Sequence, residues 1–200
     1  MVNYPNKKKT NIQLNISPTK RYTAHRGMSL EEDISLSNEY YLEHDKAVIY
    51  KKPTPVQIVK VDYPRREAAK IVEAYYKKPS TTDYNGLYKG KYVDFEAKET
   101  KVKTFPFKNI SKHQIDHLDR IIKHGGIAFI IIAFTSLNEI YLIDASYVIQ
   151  AYNHGNRQSM TYETIKSYGH LIPQGYQPRL DYLKVLDEVY FKEDRQWKRN

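Results

Sequence analysis

The chain has 200 residues, with 32 Lys and Arg against 23 Asp and Glu, a net charge of +9 and no cysteine. A domain near this size buries about 70% of its unfolded surface without cross-links. The missing cysteines remove disulfide frameworks, thiolate zinc sites and cysteine nucleophiles, and they fit a reducing, cytoplasmic setting. No apolar run reaches the ~20 residues of a membrane span; Ile127–Phe134, the longest, is strand-sized. The N-terminus lacks the apolar core of a secretory signal, so neither a membrane nor a secreted protein is expected.

Residues 1–24 are polar, rich in Lys, Asn and Thr, and without apolar periodicity; they read as a flexible basic arm ahead of a folded domain over 25–200. Ser29 and Glu32 have the spacing of a capping box, and Leu30, Ile34 and Tyr41 follow at helical intervals. Ala47–Tyr50 is a short strand. Lys51-Lys-Pro-Thr-Pro55 belongs neither inside a helix nor in a central strand. The segment Val56 to Val61 is strand-like, and Pro64 suits the first position of a helix through Ala68, Ile71, Val72 and Tyr75. Residues of about 51–79 thus read as a projecting stalk. Ser80 to Glu99 is a hairpin, Ile127–Phe134 a buried strand and Ile140–Ile143 its neighbour. Helices are predicted at 112–123, 145–152, 161–167 and 180–192. Strands mixed with helices in this order give an α/β fold with a mixed central sheet.

Charge is distributed in blocks. Residues 1–30 hold six basic side chains and no acids, 31–50 carry −5, and 51–78 carry +5. Two basic stretches flanking an acidic one, in a chain with 19 tyrosines, suit a polyanion with stackable bases, and nucleic acid is the leading partner class. The bland alternative is a solvated basic surface.

The chemistry concentrates in the hairpin. In Tyr92-Val-Asp-Phe-Glu-Ala-Lys-Glu99, Val93, Phe95 and Ala97 share one face, and Tyr92, Asp94, Glu96 and Lys98 the other. An ordinary amphipathic strand looks the same, so the turn decides. With Lys89-Gly90 as the turn, Asn85 faces Asp94, Asp83 faces Glu96 and Thr81 faces Lys98. Two like charges directly opposed, with Cβ atoms about 5 Å apart, call for a divalent cation, and oxygen ligands suit Mg²⁺. A turn at Asn85-Gly86, the stronger type I′ dipeptide, would pair Asp83 with Tyr88 and dissolve the site. Lys98, one step along the same face, is placed to orient a water and stabilise charge on a phosphorane-like transition state. Asp, then Glu-x-Lys on the next strand, is the signature of a large nuclease superfamily.

Other candidates are weaker. Glu31 lies beside the Leu30–Ile34 stripe and is chosen as a fourth acid, although a solvated first-turn acid reads equally well. Gln114 is either the capping-box partner of Ser111 or a ligand to the metal or its water. His113 and His117 lie four apart on a helix, but Gln114 stands between them instead of a general base and no third ligand is evident, so a zinc site is rejected.

The strings Arg26-Gly-Met-Ser-Leu-Glu31, Lys51-Lys-Pro-Thr-Pro-Val-Gln-Ile-Val59, Ser80-Thr-Thr-Asp-Tyr-Asn-Gly86, Asp94-Phe-Glu-Ala-Lys-Glu-Thr100 and Gln177-Pro-Arg-Leu-Asp-Tyr182 closely resemble the RecU family of Holliday-junction resolvases from Gram-positive bacteria. The resemblance implies a Mg²⁺-dependent homodimer (Mn²⁺ substituting) with a restriction-endonuclease-like core and a stalk directed at the junction. It also implies association with a RecA-type recombinase, and it puts the metal ligands at Thr81, Asp83, Glu96 and Gln114 with Lys98 as transition-state stabiliser. One departure is the loop Thr104-Phe-Pro-Phe107, a residue shorter than the family pattern.

The function expected is therefore paired, symmetric hydrolysis of a four-way DNA junction in recombination and repair, leaving 5′-phosphate and 3′-hydroxyl ends. Asp83, Glu96, Lys98 and Glu31 are the catalytic candidates. Lys51, Lys52, Lys60, Arg65 and Arg66 on the stalk are expected to engage phosphates, contacts that position DNA without reading sequence. The rivals are a restriction-type duplex endonuclease and a junction-binding or recombinase-modulating protein that does not cut.

Overall fold

The computed structural model describes residues 29–77, 81–154 and 157–191. The basic arm expected over 1–24, the expected end of the stalk at about 79 and the expected start of the hairpin at Ser80 lie outside the described residues. The fold is α/β with a mixed central sheet. In chain order it runs α1 (Leu30–Glu43), β1 (Val48–Lys51), β2 (Val56–Asp62), β3 (Lys70–Tyr76), β4 (Tyr84–Tyr88), β5 (Lys91–Thr100), β6 (Thr104–Pro106), α2 (Lys112–Lys123) and β7 (Ile127–Phe134). It continues through β8 (Glu139–Asp144), α3 (Ala145–Asn153), β9 (Ser159–Thr161), α4 (Tyr162–Tyr168), β10 (His170–Leu171) and α5 (Tyr182–Tyr190). Six strands form the main sheet in the order β1-β4-β5-β7-β8-β10. Among the described residues only β5 and β7 pair in parallel in this sheet; the other neighbours are antiparallel.

The two faces of this sheet are covered differently. On one, Ile34 and Tyr41 of α1 and Leu183 and Leu186 of α5 pack on Ile49, Val93, Phe95 and Phe129. Tyr84, Phe95 and Phe129, which lie side by side across β4, β5 and β7, stack with centroids 4.8 and 4.6 Å apart and nearly parallel planes. That row locks the register, because a slip of one residue would turn every apolar side chain of β5 to the opposite face. On the second face, Ile115 and Leu118 of α2 and Val148 of α3 cover Ala128, Ile130, Ile132 and Ile143. This cover stops short of β1 and β4, where Val48, Tyr50 and Leu87 are exposed.

Both capping boxes form, Ser29 with Glu32 and Ser111 with Gln114. The entry of α1 is also tied to the sheet, the Leu30 amide donating to Glu99 Oε1 at 2.5 Å. The segment before α5 zips to α1: the Leu180 amide donates to Ser37 Oγ (2.8 Å), Arg179 Nε to Asp33 (3.0 Å) and Tyr41 hydroxyl to Leu180 carbonyl (2.8 Å).

The helix expected from Pro64 through Tyr75 is not there. One 3-10 turn, Arg66–Ala68, leads into β3, which pairs antiparallel with β2. Every residue of both strands is exposed. A helix here would have no surface on which to bury a stripe, whereas Ile71, Val72, Tyr75 and Tyr76 favour extended chain and satisfy their backbone across the ribbon. Sequence reading also misses the small β6–β9 sheet, whose three-residue strands include Pro106.

The hairpin turn is at Lys89-Gly90, both with positive φ (47° and 75°) as a type I′ turn requires. Gly86 has a different purpose: a Cβ there would lie 2.0 Å from the Val48 carbonyl and 2.6 Å from Ile49 Cα. It lets β1 close on β4, which settles the rival turn against it. Gly86→Ala should therefore cost more stability than Gly90→Ala. At Gly90 nothing lies within 4 Å of an added Cβ and only the left-handed backbone penalty of about 1–2 kcal/mol applies. Denaturant midpoints of the two variants check this; equal losses would overturn it.

Candidate active site

Pairing of Tyr84 with Phe95 and Asn85 with Asp94 carries the chain so that Asp83, just before β4, comes beside Glu96 of β5. Lys98 Nζ contacts Glu96 Oε1 and lies 3.9 Å from Asp83 Oδ2. The three side chains differ in exposure: Glu96 has none, while Asp83 and Lys98 keep 28% and 25%. The site is a shallow polar opening whose floor is a fully buried carboxyl.

That carboxyl is incompletely satisfied. Glu96 Oε2 is buried and has no hydrogen-bond partner. Its acidity reports the same strain, since the pKa is pushed up to about 8. Burial is the largest cause and a hydrogen bond shared with Asp83 the next, against which the Lys98 ammonium pulls down. An orphaned buried oxygen facing a second acid fits a divalent cation, which would replace the missing donor and cancel the crowding. Among the described residues no three His, Cys, Asp or Glu side chains gather as a metal cluster. An ion here would have two carboxyls and would need neutral oxygens besides; the half-buried Thr81 hydroxyl donates to the Thr82 carbonyl at 3.4 Å.

The remaining candidates fall elsewhere. Gln114 Oε1 accepts from the Ser111 amide and hydroxyl, both at 3.0 Å, so its oxygen is spent on the cap of α2. Glu31 is engaged with a cation: Leu30 and Ile34 are the buried residues at this end of α1, and the exposed Glu31 carboxylate pairs with Lys51 at 2.5 Å. His113 and His117 reach different partners, Ser111 Oγ and Asp94 Oδ2.

The basic residues divide into two groups. Lys60, Arg65 and Arg66 are exposed on the β2–β3 ribbon, Lys60 opposite Glu73 and the arginines at the connection between the strands. Lys51 and Lys52 are not on the ribbon but at its base, a correction to the expected stalk. The Lys51–Glu31 pair is exposed and worth about 0–1 kcal/mol. Lys52 is different, because its ammonium lies 2.8 Å from Asp94 Oδ2, and Asp94 has no exposure at all.

Asp94 is what sequence reading missed. Strict alternation put it on the face of Glu96 and Tyr92, but nothing within β5 announces that Lys52, Thr82 and His117 join Tyr92 on it.

Fold and site together define a class: a mixed α/β protein with an Asp…Glu-x-Lys constellation on a sheet hairpin and an inserted basic ribbon. The family model described as RecU, Recombination protein U, matches residues 25–188. The chain is 56% identical over 197 residues to the Holliday junction resolvase RecU of Bacillus thuringiensis (strain Al Hakam), spanning 95% of this chain and 98% of that one, and equally to the one of Bacillus cereus (strain AH820). It belongs to the RecU family. Among solved structures, the Holliday junction resolvase Hjc of Archaeoglobus fulgidus aligns with a TM-score of 0.42 and 9% identity, over 69% of this chain and 94% of that one.

The raised Glu96 pKa fixes a sign. An unfolded glutamate titrates near 4.5 and the folded one near 8, so between them the native state holds a proton that the unfolded chain has lost, and stability falls as pH rises. Melting temperatures in EDTA should decline across that window, and Glu96→Gln should remove most of the decline. An equal decline in the variant would refute the assignment.

Proposed function

We propose that this protein is a divalent-metal-dependent endonuclease that resolves Holliday junctions, with Mg²⁺ as the natural ion and Mn²⁺ a substitute. The observation that carries the reading is the buried Glu96 carboxyl with an unpartnered oxygen, set between Asp83 and Lys98 in a chain of a family whose relatives are named junction resolvases.

Asp83 and Glu96 would hold the ion, with the Thr81 hydroxyl as a neutral ligand. When bound there, Mg²⁺ supplies positive charge against the scissile phosphodiester and makes a nucleophilic water available near neutral pH. Lys98, anchored on Glu96, directs its ammonium to the opening. It orients the attacking water and stabilises the negative charge that builds on the phosphoryl oxygens. Attack in line breaks the bond to the 3′ oxygen, which leaves as a hydroxyl, and the 5′ side keeps the phosphate. Gln114 stays on its helix cap and Glu31 on Lys51.

The exposed ribbon, with Lys60, Arg65 and Arg66, is the element directed at the junction. The open sheet face of Val48, Tyr50 and Leu87 leaves room for an arm beside the acids. Paired symmetric cuts need two sites related by a two-fold axis, hence a homodimer. No helix among the described residues is long and apolar enough to cross a membrane. The same reading places the protein in the cytoplasm, in recombination and repair, alongside a RecA-type recombinase as the family resemblance implies.

Synthetic four-way junctions should be cut with Mg²⁺ and left intact in EDTA, while matched linear duplexes are cut poorly. Equal cutting of both would favour a restriction-type enzyme. Asp83→Ala should abolish cleavage while sparing junction binding, and Lys98→Ala should slow it about 100- to 1,000-fold; cleavage unchanged in either removes that residue from the mechanism. Arg66→Ala should weaken junction binding more than duplex binding in gel-shift titrations, and equal losses would argue against a junction-facing ribbon.

A further inference from the structure

Beside the proposed metal site is a second buried charge that the reading above leaves without a purpose. Asp94 is two residues from Glu96 on the same face of β5, at the sheet centre, and its side chain has no exposure. Burying a carboxylate is costly unless its oxygens are hydrogen-bonded, and here both are. Oδ1 accepts from the Thr82 hydroxyl, and Oδ2 from Lys52 Nζ at 2.8 Å and the Tyr92 hydroxyl at 3.0 Å, with His117 Nε2 at 3.2 Å.

Lys52 makes the arrangement more than a satisfied core acid. Its ammonium also donates to the Thr82 hydroxyl at 2.9 Å, and its main-chain amide donates to the Asp83 carbonyl at 2.7 Å. One residue therefore grips both main chain and side chain of the two-residue segment Thr82–Asp83. That segment precedes β4, where the main ladder has ended and regular strand pairing no longer fixes Asp83. Lys52 is also the first residue after β1 on the path into the β2–β3 ribbon.

We propose that Lys52 and Asp94 form a strut that positions Asp83 for the divalent cation, with Thr82 as the joint between them, so that the root of the ribbon and the exposed metal-site acid are set by the same contacts. The proposal rests on the metal-dependent reading of Asp83 and Glu96. Lys52 and Asp94 are positioning residues: neither touches the ion or the reacting phosphate. Partners of this kind cost about 10- to 100-fold in metal affinity when removed. Lys52 is thereby withdrawn from the phosphate-binding set, since its ammonium is committed to a buried partner.

The test uses Mn²⁺ alone as the probe, titrated calorimetrically into the intact protein without DNA. Junction binding in EDTA and the melting temperature are measured in parallel. Asp94→Asn, Lys52→Met and Thr82→Val should each lower Mn²⁺ affinity about 10- to 100-fold while junction binding changes less than about two-fold. Thr82→Val keeps the side-chain shape and both charges, and it decides the matter if either charge variant does not fold. A lower melting temperature with Mn²⁺ affinity unchanged makes the cluster merely structural and overturns the strut. Loss of junction binding in Lys52→Met with Mn²⁺ affinity retained overturns it too, and returns Lys52 to the phosphate contacts. If the unsubstituted protein binds no Mn²⁺, the metal site itself falls and the strut with it; unaltered affinity in the variants removes the strut alone.

Discussion

A carboxyl group sealed from water with one oxygen lacking a donor has only a few ways to persist. It can keep its proton, share one with a neighbour, or meet a cation. Glu96 is in that position because β5 is central in the sheet and α2 closes over the adjoining strands. Asp83 is beside it because the type I′ turn and the stacked row Tyr84–Phe95–Phe129 permit one register only. Packing on the apolar face thus dictates crowding on the polar one. The aromatic row contributes nothing chemical to the site, yet it is the reason the two acids meet.

The polar face then handles its two buried carboxylates in opposite ways. Asp94 is contacted on both oxygens by four side chains, while Glu96 has one oxygen without a partner and the Lys98 ammonium on the other. In the proposed mechanism the first acid is framework and the second takes part in the chemistry. Such asymmetry between acids of one strand is how a single fold separates holding from chemistry. The helical cover reinforces the contrast by ending before β4, so that Asp83 and Lys98 stay within reach of solvent.

Much of this was legible in the sequence because it is local. The Lys89-Gly90 turn, the alternation through Val93, Phe95 and Ala97 and both capping boxes involve residues a few positions apart, and their geometry follows from backbone preference. The ribbon was harder: Ile71, Val72 and Tyr75 satisfy helical spacing nearly as well as a strand, and Pro64 suits a helix start. The absence of any surface to pack against decided it, and that is a tertiary fact. The partner of Glu31 was out of reach for a related reason, since Lys51, with which its carboxylate pairs, is 20 residues away in sequence. The destination of Lys52 was out of reach, because its partner Asp94 is on the far side of the whole ribbon in sequence.

The parallel pair, β5 with β7, has a separate implication for how the chain tolerates insertions and deletions. Parallel neighbours need a crossover, here the stretch from Thr100 to Ile127 that carries β6 and α2. A residue gained or lost in the connections of that crossover is absorbed at the surface at little entropic cost. A residue gained or lost between Asp83 and Glu96 has no such outlet: it would swing one acid through the sheet to the oily side. Length variation is thus permitted on the helix side of the site and forbidden within the hairpin, even though both border the same opening.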